Sequence, residues 1–191
     1  MASNSVSAVK ASELSESVDE RLIALCRVGD RSAQQTLYTL CQPLVARVAT
    51  KIAGIQDAAD VTQNVFIQVF EKLDTFEGKS RFETWLYRLT VNAALQHVRK
   101  ASRRKLQSLV EEPMSRIPAD DESQSHRELL DCALQRLSPD LRVIFVLKEV
   151  ESKSYDEIAS IANIPSGTVG SRLTRARQEL RRHLIDLGWE P

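Results

Sequence analysis

Residues 158–184 read IASIANIPSGTVGSRLTRARQELRRHL. The pattern is a short apolar helix, a turn over Ala162 to Pro165, and a second helix with one apolar and one basic face. At about 100° per residue, Val169, Leu173, Ala176, Leu180 and Leu184 fall on one narrow stripe. Ser171, Arg175, Gln178 and Arg182 fall opposite, flanked by Thr168, Arg172 and Thr174. Five arginines between Ser166 and Leu184 face the single acid Glu179. A helix that buries one stripe and offers arginine, serine and glutamine on the other suits the major groove of duplex DNA. Charged faces are more often merely solvated. Here, however, the preceding helix has Ser154 and Glu157 at capping-box spacing, and the turn has the length of a helix-turn-helix.

The rest of the chain does not share that charge. Across 191 residues, 26 Lys+Arg balance 26 Asp+Glu, for a formal net charge of zero. A protein that coats nucleic acid unaided needs many neutralised phosphates, so a neutral chain with local basic patches implies selective contact or a partner that supplies further affinity. The length allows one or two domains with real cores. Few alternating β-branched runs leave an all-α fold as the expectation. Cys26, Cys41 and Cys132 lack CxxC spacing and sit in apolar helical patterns, so they read as small core residues. His97, His126 and His183 are far apart, and no metal or cofactor site is expected. No apolar run approaches the roughly 20 residues of a membrane span. Residues 1–17, MASNSVSAVKASELSES, form a serine-rich arm without an apolar signal segment, which predicts disorder there and a cytoplasmic protein.

Helical periodicity begins at Val18 and ends at Gly29-Asp30. A longer helix follows through Leu37, Cys41, Leu44, Val45, Val48 and Ile52, interrupted by Pro43, which should kink it or leave a carbonyl unpaired. Asp57 is placed to cap a third helix, with Asp60 in its first turn. After the loop Asp74 to Ser80, a fourth helix is predicted from about Phe82 to Lys100. These helices make a first bundle over residues 18–105. Residues 106–125 lose the pattern and carry five acids against Arg116, which reads as an acidic flexible linker. A second domain of four short helices is expected over residues 126–187, with Leu129, Leu130, Ala133, Leu134 and Leu137 inward and Ser138-Pro139 opening a helix.

A second basic patch joins Arg99, Lys100, Arg103, Arg104 and Lys105, with no acid among them. Alone it could be a solvated helix end favoured by the helix dipole. Phe76, Phe82, Trp85 and Tyr87 crowd just before it, although the chain is only 5% aromatic. Aromatics beside cations can stack unpaired bases, or they can simply be core. The residues alone leave both readings open.

The stretch DAADVTQNVFIQVFEKLDTFEGKSRFETWLYRLTVNAALQHVRK resembles domain two of the extracytoplasmic-function sigma factors, within the sigma-70 family. The stretch LSPDLRVIFVLKEVESKSYDEIASIANIPSGTVGSRLTRARQELRRHL resembles their domain four. Two such blocks in tandem, in this order, are far more specific than one helix-turn-helix. The resemblance implies a transcription initiation factor whose partners are core RNA polymerase, promoter DNA and an anti-sigma factor, with no small-molecule substrate. It implies that Asp57, Asp60, Val61, Gln63, Asn64, Phe66 and Ile67 meet the coiled coil of the polymerase clamp. Phe76, Gly78, Lys79 and Ser80 would capture a flipped base of the minus-ten element, with Trp85, Arg88, Asn92, Arg99 and Lys100 beside it. Thr168, Ser171, Arg172, Thr174, Arg175, Gln178 and Arg182 would read the minus-thirty-five element as duplex. Two positions depart from the family: Gly170 stands where arginine is usual, and Asn64 where glutamate is common.

The nearest rival is a stand-alone helix-turn-helix regulator, which would not need the aromatic helix and would normally need a dimer interface. An enzyme fares worse. Its best carboxylate pair, Asp156 and Glu157, is adjacent on a helix and does not converge on one site, and no phosphate-binding glycine loop is present.

Overall fold

The computed structural model describes residues 17–108 and 122–190. The arm before residue 17 and the middle of the acidic linker lie outside the described residues. Eight α-helices account for the described fold: α1 (Glu20–Arg27), α2 (Arg31–Ala53), α3 (Ala58–Lys72), α4 (Phe82–Ser108), α5 (Glu122–Arg136), α6 (Pro139–Phe145), α7 (Tyr155–Ala162) and α8 (Ser166–Asp186).

The helix ends follow from their caps. Asp19 accepts a hydrogen bond from the Leu22 N–H at 2.7 Å, and Asp30 accepts one from Ala33 at 2.9 Å, so each occupies an orphan donor of the first turn. The backbone bond from Ala33 and the hydroxyl of Ser32 hold the Asp30 carboxyl below the usual carboxylate range. Asp57 precedes α3 but makes no side-chain cap; its carboxylate pairs with His97 Nε2 at 3.3 Å instead. Pro43 does not end α2 and lies on its exposed side, where water can serve the carbonyl that the ring displaces. Ser154 and Glu157 form the expected capping box of α7, with Oγ and the Glu157 N–H 3.3 Å apart and the Ser154 N–H donating back at 2.8 Å. Burial alone would raise the Glu157 carboxyl, but the two Ser154 hydrogen bonds and nearby Lys153 leave it lowered.

Two differences concern the linker boundaries. Helix α4 runs on to Ser108 and α5 already begins at Glu122, so the helices enter the linker from both sides. A further difference is the π-helical turn Val146–Val150 that follows α6, where regular α-helix was expected. Leu130, expected inward, is 37% exposed.

The halves before and after the linker are packed together. One continuous apolar cluster runs from Leu37, Val45 and Val65 through Leu86 and Val91 to Leu147, Ile158 and Leu173. A smaller cluster joins Ala133, Leu134 and Leu137 of the α5 region to Leu180 of α8. Cys26 and Cys41 lie in the main cluster, and burial pushes the Cys41 thiol up to about 12, as an unreactive core residue requires. Cys132 is only partly buried.

Polar contacts stitch the same seam. Glu151 takes a two-pronged bond from Arg47 at 2.7 and 2.8 Å and a third from the Tyr87 hydroxyl at 2.6 Å. Lys153 is ion-paired to Glu83 and lies 4.5 Å from the Tyr87 ring centroid. Arg142 donates to the carbonyl of Ile52 in α2, to Gln135 O at 2.6 Å and to Leu137 O at 3.0 Å. Burial lowers the Arg142 pKa to about 10, which still leaves it protonated at neutral pH.

Candidate nucleic-acid interface

Helix α8 carries its faces as the periodicity requires. Val169, Leu173, Ala176 and Leu180 are buried, whereas Ser171, Thr174, Arg175, Gln178 and Arg182 are exposed and Thr168 and Arg172 half-buried. The turn into it is closed by Asn163 in the left-handed conformation at φ 53°, with the Ile164 N–H donating to Ala159 O at 3.0 Å. Asparagine tolerates that conformation better than most residues. Ser166 Oγ then reaches Asp156 at 2.7 Å and ties the start of α8 to the start of α7.

Arg175 is a highly accessible cation of this face, with its side chain 71% exposed and Nε 2.8 Å from Glu179. Arg177 is also exposed, but it lies to the side of this face and is bound to Glu149 at 2.6 Å. The Ser171 and Thr174 hydroxyls donate to the carbonyls of Thr168 and Gly170, each at 3.0 Å, which leaves their oxygens free to accept. A Cβ on Gly170 would meet only the Tyr155 ring, at 3.6 Å, an ordinary contact. The missing side chain at 170 therefore reflects no steric demand of the fold.

The aromatic group at the start of α4 is divided by burial. Phe82 and Tyr87 are buried, which decides the two open readings in favour of core for these two rings. Phe76 and Trp85 are half-buried, and the three rings of Phe76, Phe82 and Trp85 lie 5.4–5.5 Å apart, with Phe76 edge-on to Phe82. Beyond Phe76 the loop is open. Gly78 has φ +72° with nothing near its missing side chain, Lys79 is exposed and paired to Glu77, and Ser80 is half-buried. Arg27 fixes the base of this loop by donating to Leu73 O at 3.2 and 3.1 Å and to Phe76 O. No residue pattern marks that anchor, because Arg27 ends a short helix and its partners are backbone carbonyls.

Trp85, Arg88 and Asn92 share one face of α4 by their spacing, but their surroundings differ. Asn92 and Lys100 are exposed, and Arg99 forms an exposed pair with Asp140 at 3.1 Å. Arg88 instead points at α7, donating to Ser160 O at 2.9 Å and to its hydroxyl.

The third surface is α3. Asp60, Gln63, Asn64 and Ile67 are exposed, and Asp57 is half-buried against His97. Val61 was expected at this surface; it is 1% exposed and belongs to the core, because it lies on the inner stripe of α3 with Val65 and Val69. Phe66 is also buried, yet it stacks on Tyr38 at 4.4 Å and forms part of the wall of a groove of about 670 Å³ between α2 and α3. Tyr38, Ile55 and Ile67 line the same groove and are exposed apolar side chains. The Thr62 hydroxyl within it has no hydrogen-bond partner.

A helix-turn-helix behind a bundle that gathers aromatic and basic side chains on one helix defines a two-part DNA-binding protein. Residues 37–104 match the family model Sigma-70 region 2, and residues 127–180 match Sigma-70, region 4. Over 175 residues the chain is 33% identical to the ECF RNA polymerase sigma-E factor of Escherichia coli strain K12, covering 85% of this chain and 92% of that one. It is 38% identical over 167 residues to the ECF RNA polymerase sigma factor SigE of Mycolicibacterium smegmatis, covering 82% of this chain and 64% of that one. Among solved structures, the sigma factor RpoE of Bartonella quintana, in complex with the anti-sigma factor NepR, superposes with a TM-score of 0.64 at 26% identity, covering 81% of this chain and 98% of that one. The chain belongs to the ECF sigma factors of the sigma-70 family and acts as an alternative sigma factor in promoter-specific transcription initiation. No described helix is long and apolar enough to cross a membrane.

Proposed function

We propose that this protein joins core RNA polymerase through the exposed face of α3 and reads a bipartite promoter with α4 and α8. Asp60, Gln63, Asn64 and Ile67 supply a face of mixed charge and apolar surface beside the groove lined by Tyr38 and Phe66, which suits a helical partner. The same groove is the surface on which an anti-sigma factor would compete. The chemistry of RNA synthesis belongs to the polymerase; this chain contributes recognition, in the cytoplasm where the polymerase and the DNA are.

The open loop around Gly78, with Phe76 and Trp85 behind it, would hold an unstacked base of the minus-ten element, and Arg88, Asn92, Arg99 and Lys100 would follow the single strand. Thr168, Ser171, Arg172, Thr174, Arg175, Gln178 and Arg182 would face the minus-thirty-five duplex. The observation that carries this reading is α8 itself, whose buried apolar stripe leaves Ser171, Arg175, Gln178 and Arg182 aligned and exposed. Neither DNA contact has to be strong alone, since one polymerase holds both and raises the effective concentration of each.

The test is footprinting of promoter DNA with this protein alone and with core polymerase added. Protection of two separated elements only when both proteins are present supports the proposal. Full protection by the chain alone supports the stand-alone regulator.

A further inference from the structure

Helix α1 ends at a fixed point. Gly29 takes φ +82°, its N–H bonds to Cys26 O at 3.1 Å, and the Asp30 N–H bonds to Leu25 O at 3.1 Å. Together these bonds make a Schellman closure of the helix. Asp30 then caps α2, while Ile23 and Cys26 are buried in the main cluster. Arg27, the last residue of α1, therefore extends its side chain from a rigid post.

That side chain crosses to a segment 46 to 49 residues later. Leu73 and Phe76 bound a single 3₁₀ turn, closed by the Phe76 N–H on Leu73 O at 3.1 Å. Arg27 donates to both carbonyls. Its Nε and Nη2 reach Leu73 O at 3.2 and 3.1 Å, and Nη2 also reaches Phe76 O. One nitrogen thus spans the turn. Phe76 is held a second time by its ring, which lies 5.5 Å from Phe82 and 5.4 Å from Trp85. With carbonyl and ring both fixed, residues 77–80 leave Phe76 in one direction. The loop beyond is open: its ion pair, Lys79 with Glu77, is internal, and a Cβ on Gly78 would meet nothing within 4 Å. Its aim is set at its base.

Stability alone does not account for this contact. Arg27 is exposed and its bond to Phe76 O lies at the surface, so water can serve that carbonyl once the guanidinium is gone. Water does not supply a planar fork that holds two acceptors at once. A site whose support is about 1 Å too loose loses function while staying folded. Resting on the reading of this loop as the holder of an unstacked minus-ten base, we propose that Arg27 is a positioning residue for that base. It touches no DNA and acts by aiming Phe76 and the loop.

The test measures minus-ten base preference with the full chain and core polymerase, on promoters randomised over that element. Arg27→Ala should keep helical content, polymerase binding and minus-thirty-five preference, yet lower discrimination at the captured base about tenfold or more. Arg27→Lys should lose nearly as much, because an ammonium keeps the charge without the fork. In a Phe76→Ala background, Arg27→Ala should cost no more than about a further twofold, since both act through one element. Wild-type discrimination by Arg27→Ala overturns the proposal, as does a full independent loss in the Phe76→Ala background. Wild-type discrimination by Arg27→Lys overturns it too, and makes Arg27 a charge for DNA instead. Should Arg27→Ala lose helical content, Arg27→Lys is read in its place by the same criteria. Wild-type minus-ten preference in Phe76→Ala itself would overturn the reading of the loop, and the proposal with it, a failure distinct from that of the anchor.

Discussion

Arg142 of α6 donates to the carbonyl of Ile52, the penultimate residue of α2, and so caps one helix from the opposite half of the chain. Its other bonds, to Gln135 O at 2.6 Å and Leu137 O at 3.0 Å, close the turn between α5 and α6. Three carbonyls thus depend on one guanidinium that is 3% exposed. Hydrogen bonds to a charged group contribute about 1.5–3 kcal/mol, and orphaned buried acceptors add to the loss. Arg142→Leu should therefore destabilise the protein by about 3 kcal/mol and lower Tm by roughly 6–12 °C in thermal unfolding. An unchanged Tm would mean that water replaces the guanidinium without cost.

Readout by α8 should divide into specific and general contacts. The exposed Arg175–Glu179 pair contributes only about 0.3–0.5 kcal/mol, small beside the roughly 1–3 kcal/mol by which a bidentate arginine discriminates a base. Arg175 can therefore leave Glu179 for DNA. Arg175→Ala should relax preference at one promoter position by about 5- to 100-fold, measured over a randomised minus-thirty-five library. Arg182→Ala should weaken all sequences alike and reduce the salt dependence of binding. Unchanged selection by Arg175→Ala would mean that α8 docks in another orientation.

The polymerase contact is open to a similar separation. Asp60 and Gln63 are exposed on α3 and take no part in the core. The double substitution Asp60→Arg, Gln63→Ala should keep the Tm of wild type and weaken binding to core enzyme about tenfold or more in a titration. Normal binding would move the contact to another face.

Acid should expose the contribution of the α7 cap. The Glu157 carboxyl is lowered from 4.5, so between its folded value and 4.5 the unfolded chain binds a proton that the folded chain does not. Stability from this group is complete above 4.5 and is lost as pH falls through the lowered value. Glu157→Gln lacks that contribution. Its unfolding midpoint should fall less than that of wild type between about pH 6 and about pH 3, as measured by denaturant titration.

The sequence made some of this legible and hid the rest, for physical reasons. The α8 stripe and the Ser154–Glu157 box depend on spacing along one helix, which the chain carries in its order of residues. The seam does not. Nothing in the residues around Glu151 and Lys153 marks them for burial, and only their partners on α2 and α4, some 70 to 100 residues earlier, show why they are buried. Arg27 escaped notice for the same reason. On α4 the composition left platform and core open for the aromatics, and burial of Phe82 and Tyr87 leaves only Phe76 and Trp85 of that group near solvent. Val61 on α3 marks a limit of the resemblance instead: it placed Val61 at the polymerase surface, whereas the apolar spacing with Val65 and Val69 turns it inward.

The central claim is that α4 and the loop before it open and hold the promoter, and permanganate reactivity of unpaired thymines measures this most directly. With core polymerase and wild-type protein, thymines of the minus-ten region should become reactive. Phe76→Ala and Asn92→Ala should retain helical content and polymerase binding yet lose most of that reactivity, because the loop around Gly78 loses the aromatic ring beside it and α4 an exposed amide. A template already unpaired at the minus-ten region should recover part of the transcription, since opening is then supplied in advance. Wild-type reactivity from both variants on the intact duplex would contradict the account and place melting outside this helix and loop.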